Sequence, residues 1–299
     1  MDRISLLGGA AVFAYSIAIT GADSLTKLIA QEYPPAQFFA LAGFLVAGFS
    51  VVSAWCCCKP GESVAQKLST RQPRLMALRS ALGFVASVSF YFGFRLLPLA
   101  EMFLFIGLMP LLVALLSGPL LKEPVQPFVW IALVVGSLGV TCLFFQHNTM
   151  LGVGHVSAIL GCGLGAVSLV VARRMTREDR GCLAQVFWPN LAVGCGMLVV
   201  LPFGFLPMPI GDIIWVCAYG AAVFCARVLC VAALTLLPVF VVTPLMNIQF
   251  IWALIIGAVV FGDPITGQVL LGGVLIVASG LVLMWDITPE YRERYLSAQ

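Results

Sequence analysis

Arg227 is the residue in this sequence whose chemistry fits its surroundings least. It lies near the middle of an apolar stretch at 211–236. A charge inside a run long enough to cross a bilayer is costly unless it faces protein or water. A guanidinium can hold a carboxylate through two parallel hydrogen bonds, and Tyr219 falls on the same broad face of a helix. This pattern predicts a binding site for an acidic group, with a structural arginine paired to carbonyls or a buried acid as the alternative.

A polar stripe in the first apolar stretch consists of Ser16, Thr20, Asp23 and Lys27. Residues three or four positions apart lie on one face of a helix, and such a face is unsuited to lipid. We therefore expect the stripe to line a cavity, with Ser16 and Thr20 near a ligand. Asp23 and Lys27 could instead form an ion pair one turn apart, as a gate or as a structural contact.

The third apolar stretch carries a second stripe, in which Ser87 and Tyr91 are candidate cavity residues. Arg95 follows one turn later and lies close in sequence to Glu101, so the two could close a gate as an ion pair. Capping is the alternative, because a helix dipole favours an acid at its N-terminus. Arg79 lies near the start of this stretch, where we expect it to complement lipid headgroups.

Two prolines inside apolar stretches predict helix kinks. Pro244 and Pro110 cannot donate a backbone hydrogen bond, and each frees a carbonyl one turn earlier. Asn247 and Gln249 follow the first of these prolines, so exposed carbonyls and amide side chains could bind a substrate amine or hydroxyl. Trp188 belongs to a comparable polar and aromatic cluster in the seventh stretch.

The composition excludes a water-soluble protein. Of the 299 residues, 61% are hydrophobic and 10% are charged, whereas soluble domains average about 45–50% and about 25%. A bilayer core needs about 20 apolar residues per helix. Ten stretches meet or approach that length, namely residues 4–28, 35–57, 74–96, 99–120, 126–146, 152–172, 182–205, 211–236, 239–261 and 267–286. We therefore predict an all-α polytopic membrane protein with ten transmembrane helices.

Several kinds of chemistry have no support in the sequence. The ten cysteines show no zinc-ligand spacing, and two loop histidines, His147 and His155, make a poor metal site. Nucleotide-binding and hydrolase motifs are missing as well. We therefore expect no metal, no cofactor and no enzyme activity. A net charge of +3 is too small to indicate nucleic acid.

The basic residues predict the orientation in the membrane. If the N-terminus is cytoplasmic, 12 of the 16 basic residues lie on the cytoplasmic side, as the positive-inside rule requires. Both termini are then cytoplasmic. The first stretch also has features of a signal peptide, but its removal would leave nine helices, so we expect it to be retained.

A shift of 140 residues superposes two parts of the chain. Leu97-Pro98 falls on Leu237-Pro238, and Glu123 falls on Asp263, each acid preceding a proline. Each half then holds five helices, at 1–148 and 149–286, followed by a cytoplasmic tail at 287–299. Because five is odd, the second half enters the membrane inverted, an arrangement typical of secondary carriers.

This pattern of Leu-Pro, a helix containing Pro110 and then Lys122-Glu123-Pro124 resembles the EamA repeat of the drug/metabolite transporter superfamily. The second copy departs from it, with Asp263 replacing the usual glutamate and Phe250 at the position of Pro110. The resemblance implies two inverted five-helix halves around a central cavity, and export or exchange of small metabolites. Within the superfamily the chain is similar to amino-acid exporters of the YddG type, which implies a monomer in the bacterial inner membrane.

The function favoured by these features is secondary transport of neutral or aromatic amino acids by alternating access. Its partners would be a small-molecule substrate and the lipid bilayer, without nucleic acid. A nucleotide-sugar, vitamin or drug carrier of the same fold is one alternative, although phosphate groups should require more than one deep basic residue. A non-transporting receptor or scaffold, or a membrane-embedded enzyme, is the alternative of another class.

Overall fold

The computed structural model describes residues 3–58, 61–121, 127–141, 152–178, 181–236, 242 and 245–285. Throughout these residues the regular elements are helices, and no strand occurs among them. The α-helices are α1 (Arg3–Ala30), α2 (Pro35–Cys56), α3 (Val64–Leu68), α4 (Pro73–Leu96), α5 (Leu99–Gly107), α6 (Met109–Leu121), α7 (Pro127–Thr141), α8 (Val153–Glu178), α9 (Cys182–Val200), α10 (Ile210–Leu236), α11 (Gln249–Val260) and α12 (Gly267–Trp285). A 3₁₀ turn at Leu201–Phe203 follows α9.

Among the described residues, five segments are long and apolar enough to cross a membrane: Pro35–Cys56, Pro73–Leu96, Val153–Met175, Cys182–Phe203 and Ile210–Ala233. Shorter apolar helices lie at Leu99–Val113, Gln249–Val260 and Gly267–Ser279. Large apolar side chains such as Phe203, Ile210 and Val259 are almost fully exposed on the outside of the bundle. Lipid can cover such a surface and water cannot, so the chain is an all-helical polytopic membrane protein.

The fourth predicted stretch is interrupted within the membrane-spanning region. Helix α5 ends at Gly107, and the Leu108 N–H donates to the carbonyl of Phe105 at 3.0 Å, three residues back rather than four. Helix α6 then begins, with Pro110 as its second residue. Proline is well tolerated in a first helical turn because it lacks an N–H that would otherwise be unpaired. The interruption therefore lies two residues before the proline that predicted it.

Helix packing gives the bundle an internal correspondence. The closest pairs are α1 with α10, α4 with α8, α2 with α9, and α7 with α12. The helices α1, α2, α4 and α7 can be matched in order with α8, α9, α10 and α12. Under this match, the α4–α8 contact corresponds to the α10–α1 contact. The α2–α9 and α7–α12 contacts each correspond to themselves, with the two helices exchanged. The packing of one set of helices is thus repeated by the other.

Glycine pairs lie where α2 crosses α9 and where α7 crosses α12. A Cβ atom added to Gly43 on α2 would lie 2.6 Å from the backbone nitrogen of Gly194 on α9. A Cβ atom added to Gly272 on α12 would lie 2.7 Å from the carbonyl oxygen of Gly139 on α7. Both distances are too short for a methyl group, so backbone lies directly against backbone at these crossings.

Candidate functional site

A cavity of about 260 Å³ lies between α1, α4, α8, α10 and the start of α11. Its charged lining residues are Asp23 on α1, Arg79 on α4 and Arg227 on α10. Apolar side chains form most of the remaining wall. Charges at this depth are tolerated only where they face protein or an aqueous space, and here they share one space.

Six residues predicted for the site line this cavity: Asp23, Ser87, Tyr91, Tyr219, Arg227 and Gln249. They come from four helices that are far apart in sequence. Helical periodicity placed each on a polar face, and packing brings those faces together.

Asp23 and Arg227 interact electrostatically across the cavity without direct contact. Arg227 is close enough to influence both Asp23 and Arg79. In the part of the chain that the structure describes, however, the ion pairs within 4.0 Å are Lys27–Asp263 and Lys67–Glu62. An acid and a base therefore face the same cavity without pairing directly.

Arg79 occupies the cavity rather than the headgroup region, which corrects the expectation from its position near the start of α4. Its Nη1 donates to Oε1 of Gln185 on α9 at 2.6 Å. The hydroxyl of Ser168 on α8 donates to the Arg79 carbonyl at 3.4 Å. The sequence contained one usable signal, because the shift of 140 residues places Arg79 on Tyr219, which was predicted for the site.

Aromatic rings form part of the cavity wall. Phe39, Phe90 and Phe94 line it together with Tyr91. The rings of Phe39 and Tyr91 lie 5.8 Å apart, and those of Phe90 and Phe94 lie 6.4 Å apart. Such a wall suits the apolar part of an amphipathic ligand.

Four other predicted residues lie outside the cavity lining. Ser16 and Thr20 are fully buried, and their hydroxyls donate to carbonyls one turn back in α1, as hydroxyl side chains within helices often do. Asn247 is buried, and its Oδ1 has no hydrogen-bond partner among the described residues. Trp188 is 41% exposed and donates from Nε1 to the carbonyl of Leu68 at 2.8 Å, because α3 offers an acceptor there.

Of the two predicted gate pairs, Lys27 and Asp23 do not pair with each other in the structure. Lys27 pairs with Asp263, 236 residues away, rather than with Asp23 on the same helix face. Arg95 is exposed in the last turn of α4, and Glu101 lies in the first turn of α5. Of the kink residues, Pro110 lies just after the interruption described above, and Pro244 falls outside the described residues.

Comparison with known proteins identifies the family. Residues 5–145 match the EamA-like transporter family. Two proteins described as uncharacterized transporters, from Helicobacter pylori strains J99 and 26695, are 25% and 24% identical over 217 residues. Each match covers 70% of this chain and 72% of the relative. The first half of the chain is thus similar to the EamA-like transporter family. The predicted resemblance to the drug/metabolite transporter superfamily is thereby confirmed.

A solved crystal structure has a fold similar to that of this chain. The two superpose with a TM-score of 0.69 at 18% sequence identity, over 95% of this chain and 98% of the other. At that identity the likeness concerns the fold alone, and it covers both halves of the chain.

Within the described ranges of this chain, no three His, Cys, Asp or Glu side chains are grouped so that they could hold a metal. Cys230 lines the cavity between charged neighbours. The arrangement is suited to binding a ligand with charged and apolar parts.

Proposed function

We propose that this protein is a secondary carrier that exports or exchanges small metabolites, namely neutral or aromatic amino acids, by alternating access. One observation supports the substrate class above all others. Asp23 and Arg227 face a single cavity from packed helices, close enough to interact and without an ion pair between them. An α-amino acid has a matching pair of charges in its ammonium and carboxylate groups.

The chemistry of the cavity fits such a ligand part by part. The guanidinium of Arg227 would bind the carboxylate through paired, charge-assisted hydrogen bonds, and Asp23 would bind the ammonium group. Tyr219 and Gln249 supply further hydrogen-bonding groups at the same cavity. The aromatic wall would contact the side chain, so neutral and aromatic amino acids can be accommodated.

The volume of the cavity argues against the larger alternatives. Sites for drug-sized ligands occupy about 300–1,000 Å³, and this cavity has about 260 Å³. A nucleotide sugar would exceed the space in this conformation, whereas one amino acid fits. The volume therefore favours a single small metabolite over a nucleotide sugar or a large drug.

We further propose that the carrier consists of two inverted five-helix halves, at 1–148 and 149–286. The exchange of the α4–α8 contact with the α10–α1 contact supports this division. In this proposal, α5 and α6 together form one membrane span, and α11 forms another together with the segment before it. The chain then has ten spans, and both termini lie in the cytoplasm. Rocking of such halves around a midplane site is the usual means of alternating access. The expected setting is a monomer in a bacterial inner membrane.

Flux into proteoliposomes tests the proposal. Counterflow of a labelled panel of amino acids is measured for wild type, Arg227→Gln and Asp23→Asn. We expect saturable flux in wild type and at least a tenfold loss of kcat/KM in each variant, because each removes one charge contact to the substrate. Arg74→Gln, at an exposed position in the first turn of α4, is the matched control and should keep wild-type flux.

The outcomes separate the alternatives. Flux that survives both cavity variants would assign Asp23 and Arg227 to structure and leave the carrier without the proposed head-group site. Absence of flux for every amino acid in well-folded wild type would overturn the substrate class. A receptor, scaffold or membrane enzyme would give no counterflow with any solute.

A further inference from the structure

Arg79 brings a second positive charge into the cavity, and the head-group site described above does not use it. Two guanidinium groups and one carboxylate line the space. With all three ionised, the lining carries one net positive charge. The other titratable lining groups, Tyr15, Tyr91, Tyr219 and Cys230, are neutral in their usual protonation states at pH 7.

The direct partner of Arg79 orients the guanidinium without neutralising it. Gln185 is 2% exposed and accepts from Nη1 at 2.6 Å through its amide oxygen. The amide nitrogen of Gln185 is buried and has no acceptor among the residues that the structure describes. Because an amide carries no net charge, the positive charge of Arg79 stays uncompensated by its hydrogen-bond partner.

The charged side chain that acts most strongly on Arg79 has the same sign. Arg227 on α10 repels it, and repulsion between like charges is strong where the local dielectric constant is low. Ion pairs in the described residues involve Lys27 and Lys67 rather than either arginine. A ligand with a negative group near Arg79 would relieve this repulsion, and a neutral group there would not.

Arg79 lies at one end of the cavity lining on α4. The cavity lining on α4 runs from Arg79 to Phe94, which at 1.5 Å per residue is about 22 Å along the helix axis. Arg79 is at one extreme of that range, and Ser87 is about 12 Å further along. The cavity is thus elongated, with a guanidinium held by a buried amide at one end.

We propose that Arg79, oriented by Gln185, forms a second anion subsite, and that the carrier prefers amino acids whose side chain ends in an acidic group. This inference rests on the proposed function, since Asp23 and Arg227 still bind the ammonium and α-carboxylate groups. The substrate would then carry a net charge of −1 and would neutralise the lining. The preference changes the expectation of a neutral or aromatic substrate to an acidic one.

An isosteric pair of substrates isolates the contribution of Arg79. L-glutamate and L-glutamine have nearly the same size and share the same head group, and they differ in the charge of the side chain. Half-saturation concentrations are measured for both by counterflow in proteoliposomes containing the full chain. We expect wild type to bind glutamate at least tenfold more tightly than glutamine.

Variants at Arg79 then test the assignment. Arg79→Gln should raise the KM for glutamate at least tenfold while changing that for glutamine less than twofold. Arg79→Lys keeps the charge and should retain most of the preference for glutamate. Arg74→Gln, on the same helix outside the cavity lining, should leave both constants unchanged. Gel filtration and the melting temperature establish that each variant is folded.

Each result has a distinct meaning. An unchanged ratio of the two KM values in Arg79→Gln would overturn the second subsite and leave the amino-acid carrier intact. Equal losses for both substrates would assign Arg79 a structural role and would also overturn it. If wild type moves neither glutamate, glutamine nor any other amino acid, the proposed function fails and this inference fails with it.

Discussion

The Nζ atom of Lys27 lies 2.7 Å from Oδ2 and 3.0 Å from Oδ1 of Asp263. Oδ2 of the same carboxylate also accepts the backbone N–H of Leu99 at 2.8 Å. The ammonium group lies over the ring of Phe261, 4.7 Å from its centroid. One carboxylate thereby joins α1, the start of α5 and the turn between α11 and α12.

Removal of this carboxylate should destabilise the bundle. Asp263→Asn would leave Lys27, which is 7% exposed, without a counter-charge. We expect the free energy of unfolding to fall by about 3 kcal/mol, the lower end of what removal of one partner of a buried pair costs. Unfolding in detergent, followed by circular dichroism during SDS titration, measures the change.

The ion pair of Lys67 with Glu62 provides the control, since the side chain of Lys67 is 26% exposed and that of Glu62 44% exposed. Lys67→Gln should change the free energy of unfolding by less than about 1 kcal/mol. Equal effects of the two substitutions would show that the carboxylate of Asp263 does not join the three segments as described.

Gly262 allows the chain to turn so that Asp263 reaches its partners. Its φ of +66° lies in the left-handed region, and no atom lies within 4 Å of an added Cβ. Gly262→Ala should therefore lower the free energy of unfolding by about 1 kcal/mol through backbone strain alone. Gly267→Ala has equally open space without a positive φ and should be close to neutral. A neutral Gly262→Ala would contradict this account of the turn.

The crossing of α2 and α9 should not tolerate a methyl group. In Gly43→Ala the new Cβ would lie 2.6 Å from backbone nitrogen and 2.7 Å from backbone oxygen, and backbone cannot move aside as a flexible side chain can. We expect a loss of about 3 kcal/mol, at the upper end of overpacking effects. Melting temperature and the yield of folded protein in detergent report it.

Gly48 on the same helix gives a matched comparison, because nothing lies within 4 Å of an added Cβ there. Gly48→Ala should be neutral or stabilising by up to about 1 kcal/mol, as helix propensity predicts. If both alanine variants behaved alike, the backbone contact at Gly43 would not be the cause.

Tyr33 links the turn after α1 to α10 in a pH-dependent way. Its hydroxyl donates to the carboxylate of Asp212, and this bond, with burial and the nearby negative charges, raises the pKa of Tyr33 from 10.0 to about 12. Because the neutral phenol is favoured in the folded state, its contribution is complete below pH 10 and is lost as the pH rises through about 12.

Tyr33→Phe should remove this dependence. Wild type should lose stability relative to the variant between about pH 10 and 12, and the two should have parallel profiles below pH 10. Melting temperatures at intervals across pH 8–12 test the difference. Parallel profiles over the whole range would show that the bond to Asp212 does not favour the neutral phenol.

Helix positions followed closely from the sequence because hydrophobic runs, prolines and glycines are local signals. The predicted stretch at 35–57 is Pro35–Cys56 in the structure, and 74–96 is Pro73–Leu96. The stretch at 99–120 was predicted as one helix, yet it divides at Leu108. The stretch is apolar throughout, and apolar composition does not show where the backbone hydrogen bonds change from a four-residue to a three-residue spacing.

Partners across the bundle could not be predicted in the same way. Asp23 and Lys27 share a helix face, but the contact that Lys27 makes depends on how α1 packs against a turn more than 200 residues later. Arg79 was assigned to headgroups by its depth alone. The side chain of Arg79 reaches the cavity because of the way α4 packs against α8 and α9. Helical periodicity alone does not predict that packing.

Contact between the backbones at Gly43 and Gly194 leaves no side chain between α2 and α9 at the point where they cross. In the proposed rocking of the two halves, a tilt of one helix about that point would move the residues near the helix ends furthest. Gly139 and Gly272 bring the backbones of α7 and α12 together in the same way. The two crossings at which an added methyl group would meet backbone are therefore also the pivots that we expect in such a motion.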